Sequence, residues 1–149
     1  MPRPSLSLAD YRALAEFRFL IRSFLSFSER AARGHGVEPQ QHQLLLACKG
    51  LPEDSRPTIG TLAQRLCVEH HTAVALVDKL EANEFVERAP SPSDRREVLV
   101  KITKRGESLL AALSELHSDQ LAQVGPGLLD ALSAVLGSHT EAKLRAEER

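Results

Sequence analysis

One polar segment of the chain, residues 70–79, carries side chains suited to reading nucleic acid. Imidazole and hydroxyl groups reach base edges or phosphates, a lysine pairs with a phosphate, and an alanine methyl fits against a thymine methyl. These groups stand together on what the spacing predicts to be one outer face of a helix: His70, His71, Thr72, Ala75 and Lys79. The segment therefore indicates contact with bases or phosphates in a DNA major groove.

A second polar segment, Asp94, Arg95 and Arg96, follows a loop rich in proline and serine. Two arginines at the end of a rigid β-ribbon suit a minor groove, where the negative potential of DNA is high. An aspartate would repel a phosphate. We therefore expect Asp94 to hold Arg96 or the loop backbone by a charge-assisted hydrogen bond.

The charge of the chain is unevenly distributed. Its 19 basic and 20 acidic residues give a net charge of -1, which is unusual for a nucleic-acid-binding protein. Phosphate contacts need a local patch rather than a basic chain. Residues 86–105 supply one, with six basic side chains against three acidic ones. The basic residues are Arg88, Arg95, Arg96, Lys101, Lys104 and Arg105.

The spacing of apolar residues predicts the helices that position these groups. A long amphipathic helix runs from residue 8 to about residue 33 and ends at Gly34 and Gly36. Pro39 occupies the first position of a second, short helix that ends at Gly50. Thr58 is a capping candidate for a third helix, residues 58–66, and a fourth spans residues 70–83.

Beyond the fourth helix the period of the pattern changes. Every second residue of 97–102 is β-branched and apolar (Val98, Val100 and Ile102), which predicts a strand, and a preceding strand begins near Phe85. Thr103 then caps a long fifth helix. We expect the run Gly125, Pro126 and Gly127 to break it and a sixth helix to follow.

The order helix, tight break, helix and basic hairpin is typical of a winged helix-turn-helix. Ala63 is the small residue that allows its two helices to approach. The predicted fold class is mainly α with a small β-hairpin. Residues 1–149 form a single domain, with the winged helix-turn-helix lobe at 38–103 and long dimerisation helices at 1–36 and 104–149.

These segments resemble the MarR family of bacterial regulators. The similarity lies in TIGTLAQRL (58–66), HHTAVALVDKLEANEFVER (70–88), DRREVLVKIT (94–103) and KRG (104–106). It implies a homodimer that binds a pseudo-palindromic operator in double-stranded DNA. Many members are repressors, released by a small aromatic anion or by cysteine oxidation. The resemblance assigns His70, His71, Thr72, Ala75 and Lys79 to the recognition helix and Asp94, Arg95 and Arg96 to the wing.

The sequence departs from the family pattern at two positions. Cys67 stands in the turn, where glycine is common, and Glu69 stands at the cap of the recognition helix, where serine is common. Glu69 still suits the helix dipole, but it would repel a nearby phosphate.

The outer helices indicate a dimer, and the resemblance to the family implies an effector site. Their broad apolar faces need a partner, and a second copy of the chain is the simplest one. The resemblance places an effector between these helices and the DNA-binding lobe. The candidate residues are Phe17, Arg18, Arg22 and His42, although core packing or surface exposure also accounts for each of them.

The remaining features narrow the functional class. Cys48 and Cys67 lack CxxC spacing and are interpreted as buried free thiols, with thiol-based redox sensing as an alternative. A nucleophile–base pair, a phosphate loop and metal-ligand spacing are all missing, so we expect no enzyme activity, metal or cofactor. A winged-helix protein-interaction module that does not bind DNA stays open as a second alternative. Without a signal-like or membrane-spanning segment, we expect a cytoplasmic protein.

Overall fold

The computed structural model describes residues 5–147 and, apart from some positions between 138 and 146, their side chains. Within this range the chain forms five helices and one two-stranded sheet. In chain order these are α1 (Leu8–Gly34), α2 (Pro39–Lys49), α3 (Ile59–Leu66), α4 (His70–Ala82), β1 (Val86–Pro90), β2 (Val98–Ile102) and α5 (Lys104–Glu147). The mainly helical fold class with a small hairpin is confirmed.

The helix starts follow from local chemistry. Thr58 caps α3, since its Oγ1 accepts a hydrogen bond of 3.1 Å from the backbone N–H of Thr61. Thr103 caps α5 in the same way, accepting from Gly106 N–H at 3.1 Å. Pro39 opens α2, where a missing backbone N–H carries no penalty. All three starts agree with the sequence pattern.

The predicted break at Gly125, Pro126 and Gly127 is wrong, because α5 continues through Pro126. A proline inside a helix costs about 3 kcal/mol, so packing must offset it. A Cβ placed on Gly127 would lie 3.5 Å from Leu20 Cδ1, so α1 packs against α5 just beyond the proline. Ala131, one turn further on, is also buried.

Residues Glu29–Leu116 form one compact unit, called the lobe below. Its core joins α2, α3 and α4 to the inner faces of the two strands and the start of α5. The fully buried side chains include Leu44, Leu45, Leu62, Val77, Leu80, Val86, Val100 and Leu113. This core seats α3 and α4 against each other.

The sheet of the lobe is an antiparallel hairpin with register from Val86 opposite Ile102 to Pro90 opposite Val98. A short third segment extends it, because Thr58 forms a bridge with Leu99. Val100 N–H also donates to Pro57 O at 2.8 Å. The chain before α3 is therefore part of the wing.

The glycine of the KRG segment, Gly106, lies where another part of the backbone approaches closely. A Cβ at this position would lie 2.1 Å from the carbonyl oxygen of Phe85. Thr103 Oγ1 donates to Glu84 O at 2.6 Å in the same corner, and the Arg105 guanidinium lies 5.0 Å from the centre of the Phe85 ring. The start of α5 is thus tied to the chain that leaves α4.

The flanking parts of α1 and α5 form a second compact unit, the flanking unit. His117 lies edge-on between the rings of Phe24 and Phe27, with both ring centres 5.9 Å away. Its Nε2 is 2.6 Å from the hydroxyl of Ser28, which is buried. None of the described helices carries an apolar stretch long enough to cross a membrane.

Candidate nucleic-acid interface

The turn between α3 and α4 is closed by backbone hydrogen bonds. Val68 N–H donates to Ala63 O at 3.0 Å, and Cys67 takes the left-handed conformation with φ 55°. This conformation favours glycine, which is why a glycine is expected in the turn. Ala63 is buried, as the close approach of the two helices requires.

The outer face of α4 carries the predicted recognition residues. Four are exposed, namely His70, His71, Ala75 and Lys79, and Thr72 is half-buried. The opposite face is seated in the core through Ala73, Leu76, Val77 and Leu80. All five side chains therefore lie on one element of a packed lobe, with their positions set by the buried face.

The wing tip is shaped by Asp94. Its Oδ1 accepts a hydrogen bond of 2.9 Å from the backbone N–H of Arg96, which is the backbone alternative expected for this aspartate. Its carbonyl accepts from Glu97 N–H at 3.1 Å. The side chains of Arg95 and Arg96 are exposed. The carboxylate thus orders the loop and leaves both guanidinium groups facing solvent.

Arg88, which the sequence assigns to the basic patch, is occupied by two acidic groups of α4. Its guanidinium lies 2.5 Å from Asp78 Oδ1 and 2.9 Å from Glu81 Oε1. The hydrogen bond to Asp78 is the main reason why the pKa of Arg88 is raised. Arg88 therefore ties β1 to α4 instead of adding a cation to the patch. This pairing was not predicted from the sequence, although Arg88 and Glu81 lie only seven residues apart.

Arg56, in the loop before α3, is a functional candidate that the sequence did not reveal. Its Nη1 lies 2.7 Å from Glu97 Oε2 and 3.0 Å from Ser93 Oγ. A single arginine in a proline-containing loop carries no periodic signal. Only the tertiary structure shows that it reaches the wing.

The two thiols have different environments. Cys48 is half-buried, and its Sγ lies 3.4 Å from Val100 O. Burial is the main cause that raises its pKa from 9.0 to about 11, so its thiolate is scarce at neutral pH. Cys67 is exposed, which corrects its interpretation as a buried thiol, because the turn points its side chain away from the core.

The four effector candidates are distributed over both units. Phe17, Arg18 and Arg22 belong to the flanking unit, where Phe17 is half-buried and both arginines are exposed. His42 lies in α2 of the lobe and is 1% exposed. The lobe also has an open groove of about 1010 Å³, lined by other residues of α2, α3 and the segments that follow them, including Gln43, Gln64 and Cys67. Across the described residues, no group of three or more His, Cys, Asp or Glu side chains is placed to hold a metal ion.

Comparison with known sequences points to one family. A MarR family model matches residues 35–97, which run from the end of α1 to the wing. The uncharacterized HTH-type transcriptional regulator YkoM of Bacillus subtilis is 29% identical over 120 residues, covering 78% of this chain and 76% of that protein. The HTH-type transcriptional repressor NicR of Pseudomonas putida is 34% identical over 70 residues, covering 47% of this chain and 44% of that protein.

Solved structures share the fold over most of the chain. AbsC, a MarR family transcriptional regulator from Streptomyces coelicolor, matches with a TM-score of 0.71 at 18% identity, covering 95% of this chain and 98% of that one. Staphylococcus aureus MepR bound to an oligodeoxyribonucleotide matches with a TM-score of 0.61 at 20% identity, covering 96% of both chains. Bordetella bronchiseptica BpsR, whose DNA binding is regulated by 6-hydroxynicotinic acid, matches with a TM-score of 0.60 at 17% identity, covering 83% of this chain and 89% of that one.

Proposed function

Because this chain belongs to the MarR family of winged helix-turn-helix transcriptional regulators, we propose that it binds a pseudo-palindromic operator as a homodimer and represses transcription until a small ligand releases it. The chain is a DNA-binding regulator and not an enzyme. The operator, the dimer, the sign of regulation and the ligand are the proposed parts.

The observation that supports DNA reading by two elements is the pairing of an exposed polar helix face with an ordered cationic loop. The face of α4 with His70 and His71 would enter the major groove. Arg95 and Arg96 at the wing tip would enter the adjacent minor groove, where the potential is most negative. Since Arg88 is occupied by acidic groups, these two arginines would carry most of the attraction of the wing to DNA.

Exposed apolar side chains of the flanking unit support the homodimer. Large apolar residues on both of its helices face solvent in the single chain, among them Leu14, Phe19, Leu25, Leu121, Leu129, Leu132 and Leu136. Burying each such side chain contributes about 1.5–3 kcal/mol. A symmetric pair would also place two recognition helices about 34 Å apart, one turn of DNA.

Release by a small ligand is supported by a protein of similar fold. BpsR, which has a similar fold, is regulated in its DNA binding by 6-hydroxynicotinic acid, a small aromatic anion. The cationic and aromatic candidates for such a ligand are Phe17, Arg18, Arg22 and His42. NicR, described as a repressor, supports repression as the sign of regulation.

The test of DNA binding is in vitro selection of a duplex from a random pool, followed by titration at several salt concentrations. A specific complex should weaken as salt rises, because phosphate contacts release counterions. A palindromic consensus would support the dimer. Affinity that stays flat between low and moderate salt would favour the protein-interaction module instead.

Arg96→Ala tests the wing directly. We expect it to weaken binding of the selected duplex by about 1–3 kcal/mol, the size of one good groove contact. Arg12→Ala, on the exposed surface of α1 in the flanking unit, is a matched control of equal charge change. Equal affinities of the wild type and Arg96→Ala at fixed salt would remove Arg96 from the interface.

A further inference from the structure

The wing tip has few backbone connections to the rest of the lobe. Strand pairing ends at Pro90 opposite Val98. One further bond, from Ser91 N–H to Glu97 O at 3.0 Å, closes the loop. The Asp94 contacts lie within the loop itself. These bonds determine the shape of the tip, but they do not fix its direction relative to α3 and α4.

Side chains supply the missing connection. Arg56 Nη1 contacts Glu97 at the base of the tip and Ser93 within it, at 2.7 and 3.0 Å. Ser93 is held in turn by Ser91, whose hydroxyl lies 3.2 Å from the Ser93 hydroxyl. Because Arg56 directly precedes Pro57, which pairs with β2, these contacts extend the third segment of the sheet outward to the tip.

The burial of Glu97 makes its pairing with Arg56 more than a loose surface contact. The Glu97 side chain is only 19% exposed, whereas Arg56 is 55% exposed. A carboxylate that is largely removed from water needs its cation, because breaking the pair leaves a poorly solvated charge. Without Arg56, Glu97 would turn toward solvent and the base of the tip would move with it.

We propose that Arg56 is a positioning residue that sets the direction of the wing, so that the neighbouring Arg95 and Arg96 meet the minor groove. This inference rests on the proposed function in its use of DNA. The contacts of Arg56 with Glu97 and Ser93, called the brace below, are present in the free protein. In this role Arg56 acts through Glu97 and Ser93 and makes no phosphate contact of its own.

The sign of one substitution separates this role from a direct DNA contact. Removing a negative charge near DNA ordinarily strengthens binding, since it reduces repulsion of the phosphates. The brace predicts the reverse for Glu97→Gln, which should weaken binding of the selected duplex about fivefold, an effect expected for one partly buried ion pair. Glu87→Gln, an equal charge change at an exposed position of β1, should leave affinity unchanged or slightly higher.

Arg56→Ala should show the same loss of about fivefold, with the slope of log affinity against log salt unchanged. The double variant Arg56→Ala with Glu97→Gln should lose no more than either single variant, because both remove one contact. A slope reduced by about one for Arg56→Ala would mean that Arg56 binds a phosphate itself and would overturn the proposal. Tighter binding by Glu97→Gln would overturn it equally.

Amide hydrogen exchange without DNA keeps the brace distinguishable from the proposed function. In Arg56→Ala the amides of Ser91 and Glu97 should exchange about fivefold faster, whereas the amide of Val100, within the sheet ladder, should not change. Unchanged exchange at all three would reject the brace, whatever DNA does. Faster exchange in Arg56→Ala, together with a selection that recovers no specific duplex for the wild type, would support the brace and reject the proposed function.

Discussion

The lobe and the flanking unit differ in how deeply their large apolar side chains are buried. The largest fully buried side chains of the described chain all lie in the lobe. The flanking unit instead exposes many of its large apolar residues, with Leu129 at 68% and Leu136 at 55%. The lobe therefore buries a core of its own, whereas the long helices leave large apolar side chains exposed in the single chain. The proposed DNA-contacting residues all lie in the lobe, whereas the proposed dimer would form through the flanking unit.

The largest expected effect tests the close packing at the start of α5 in the lobe. Gly106→Ala would place a Cβ 2.1 Å from the carbonyl oxygen of Phe85 and 2.7 Å from Ile102 Cγ2. Backbone would have to shift, so we expect a loss of about 3 kcal/mol in the free energy of unfolding, measured by urea denaturation. Gly60→Ala is the matched control in α3, since the nearest atom outside the neighbouring backbone, Thr58 Oγ1, lies 4.0 Å from its Cβ position. That control should stabilise α3 by up to ~1 kcal/mol. Equal stabilities of the two variants would show that the corner yields easily.

Association of the flanking unit gives the next largest effect. Leu129→Glu would remove about 1.5–3 kcal/mol of apolar burial per chain, so the dimer should dissociate at micromolar concentration. Light scattering measures the mass, and circular dichroism checks that the helices remain. Leu46→Glu makes the same change at an exposed leucine of the lobe and should leave the dimer intact. A wild-type protein that is monomeric at micromolar concentration would contradict the dimer itself.

The lobe core should also make stability depend on alkaline pH. Burial raises the pKa of Cys48 from 9.0 to about 11, so the folded state holds this proton more tightly than the unfolded chain. As pH rises through 9 the unfolded thiol ionises first, and stability should fall by about 1–2 kcal/mol before levelling near pH 11. Urea midpoints across this range measure the decline, and Cys48→Ala should flatten it. An unchanged decline in Cys48→Ala would assign it to other groups.

The smallest effect concerns the turn between α3 and α4. Cys67 has φ 55°, a conformation that costs a side-chain-bearing residue about 1 kcal/mol or more. Cys67→Gly relieves this strain but adds entropy to the unfolded chain, so we expect a gain of ~0.5 kcal/mol. Gly36, with φ 81°, offers the reverse comparison, and Gly36→Ala should destabilise the lobe. A Cys67→Gly variant less stable than the wild type would indicate that the thiol side chain makes a contact of its own.

Local chemistry made much of the fold predictable. Pro39, Thr58 and Thr103 identified helix starts because capping depends on residues three or four positions apart. The alternation in β2 identified the wing for the same reason. The helix break predicted at Pro126 is wrong. The free-energy cost of a proline within α5 is offset by packing against α1 near Leu20, which no local pattern reveals.

The candidate site divides in the same way. The sequence alone determined which side chains stand on the outer face of α4 and at the wing tip, because helical period and turn composition are encoded over a few residues. From the sequence, Arg88 belongs to the basic patch and Arg56 has no predicted role. Only the tertiary structure decided that Arg88 is neutralised by α4 and that Arg56 reaches Glu97. The pairing of charges from separate segments depends on distances that folding creates, and the order of residues along the chain does not contain them.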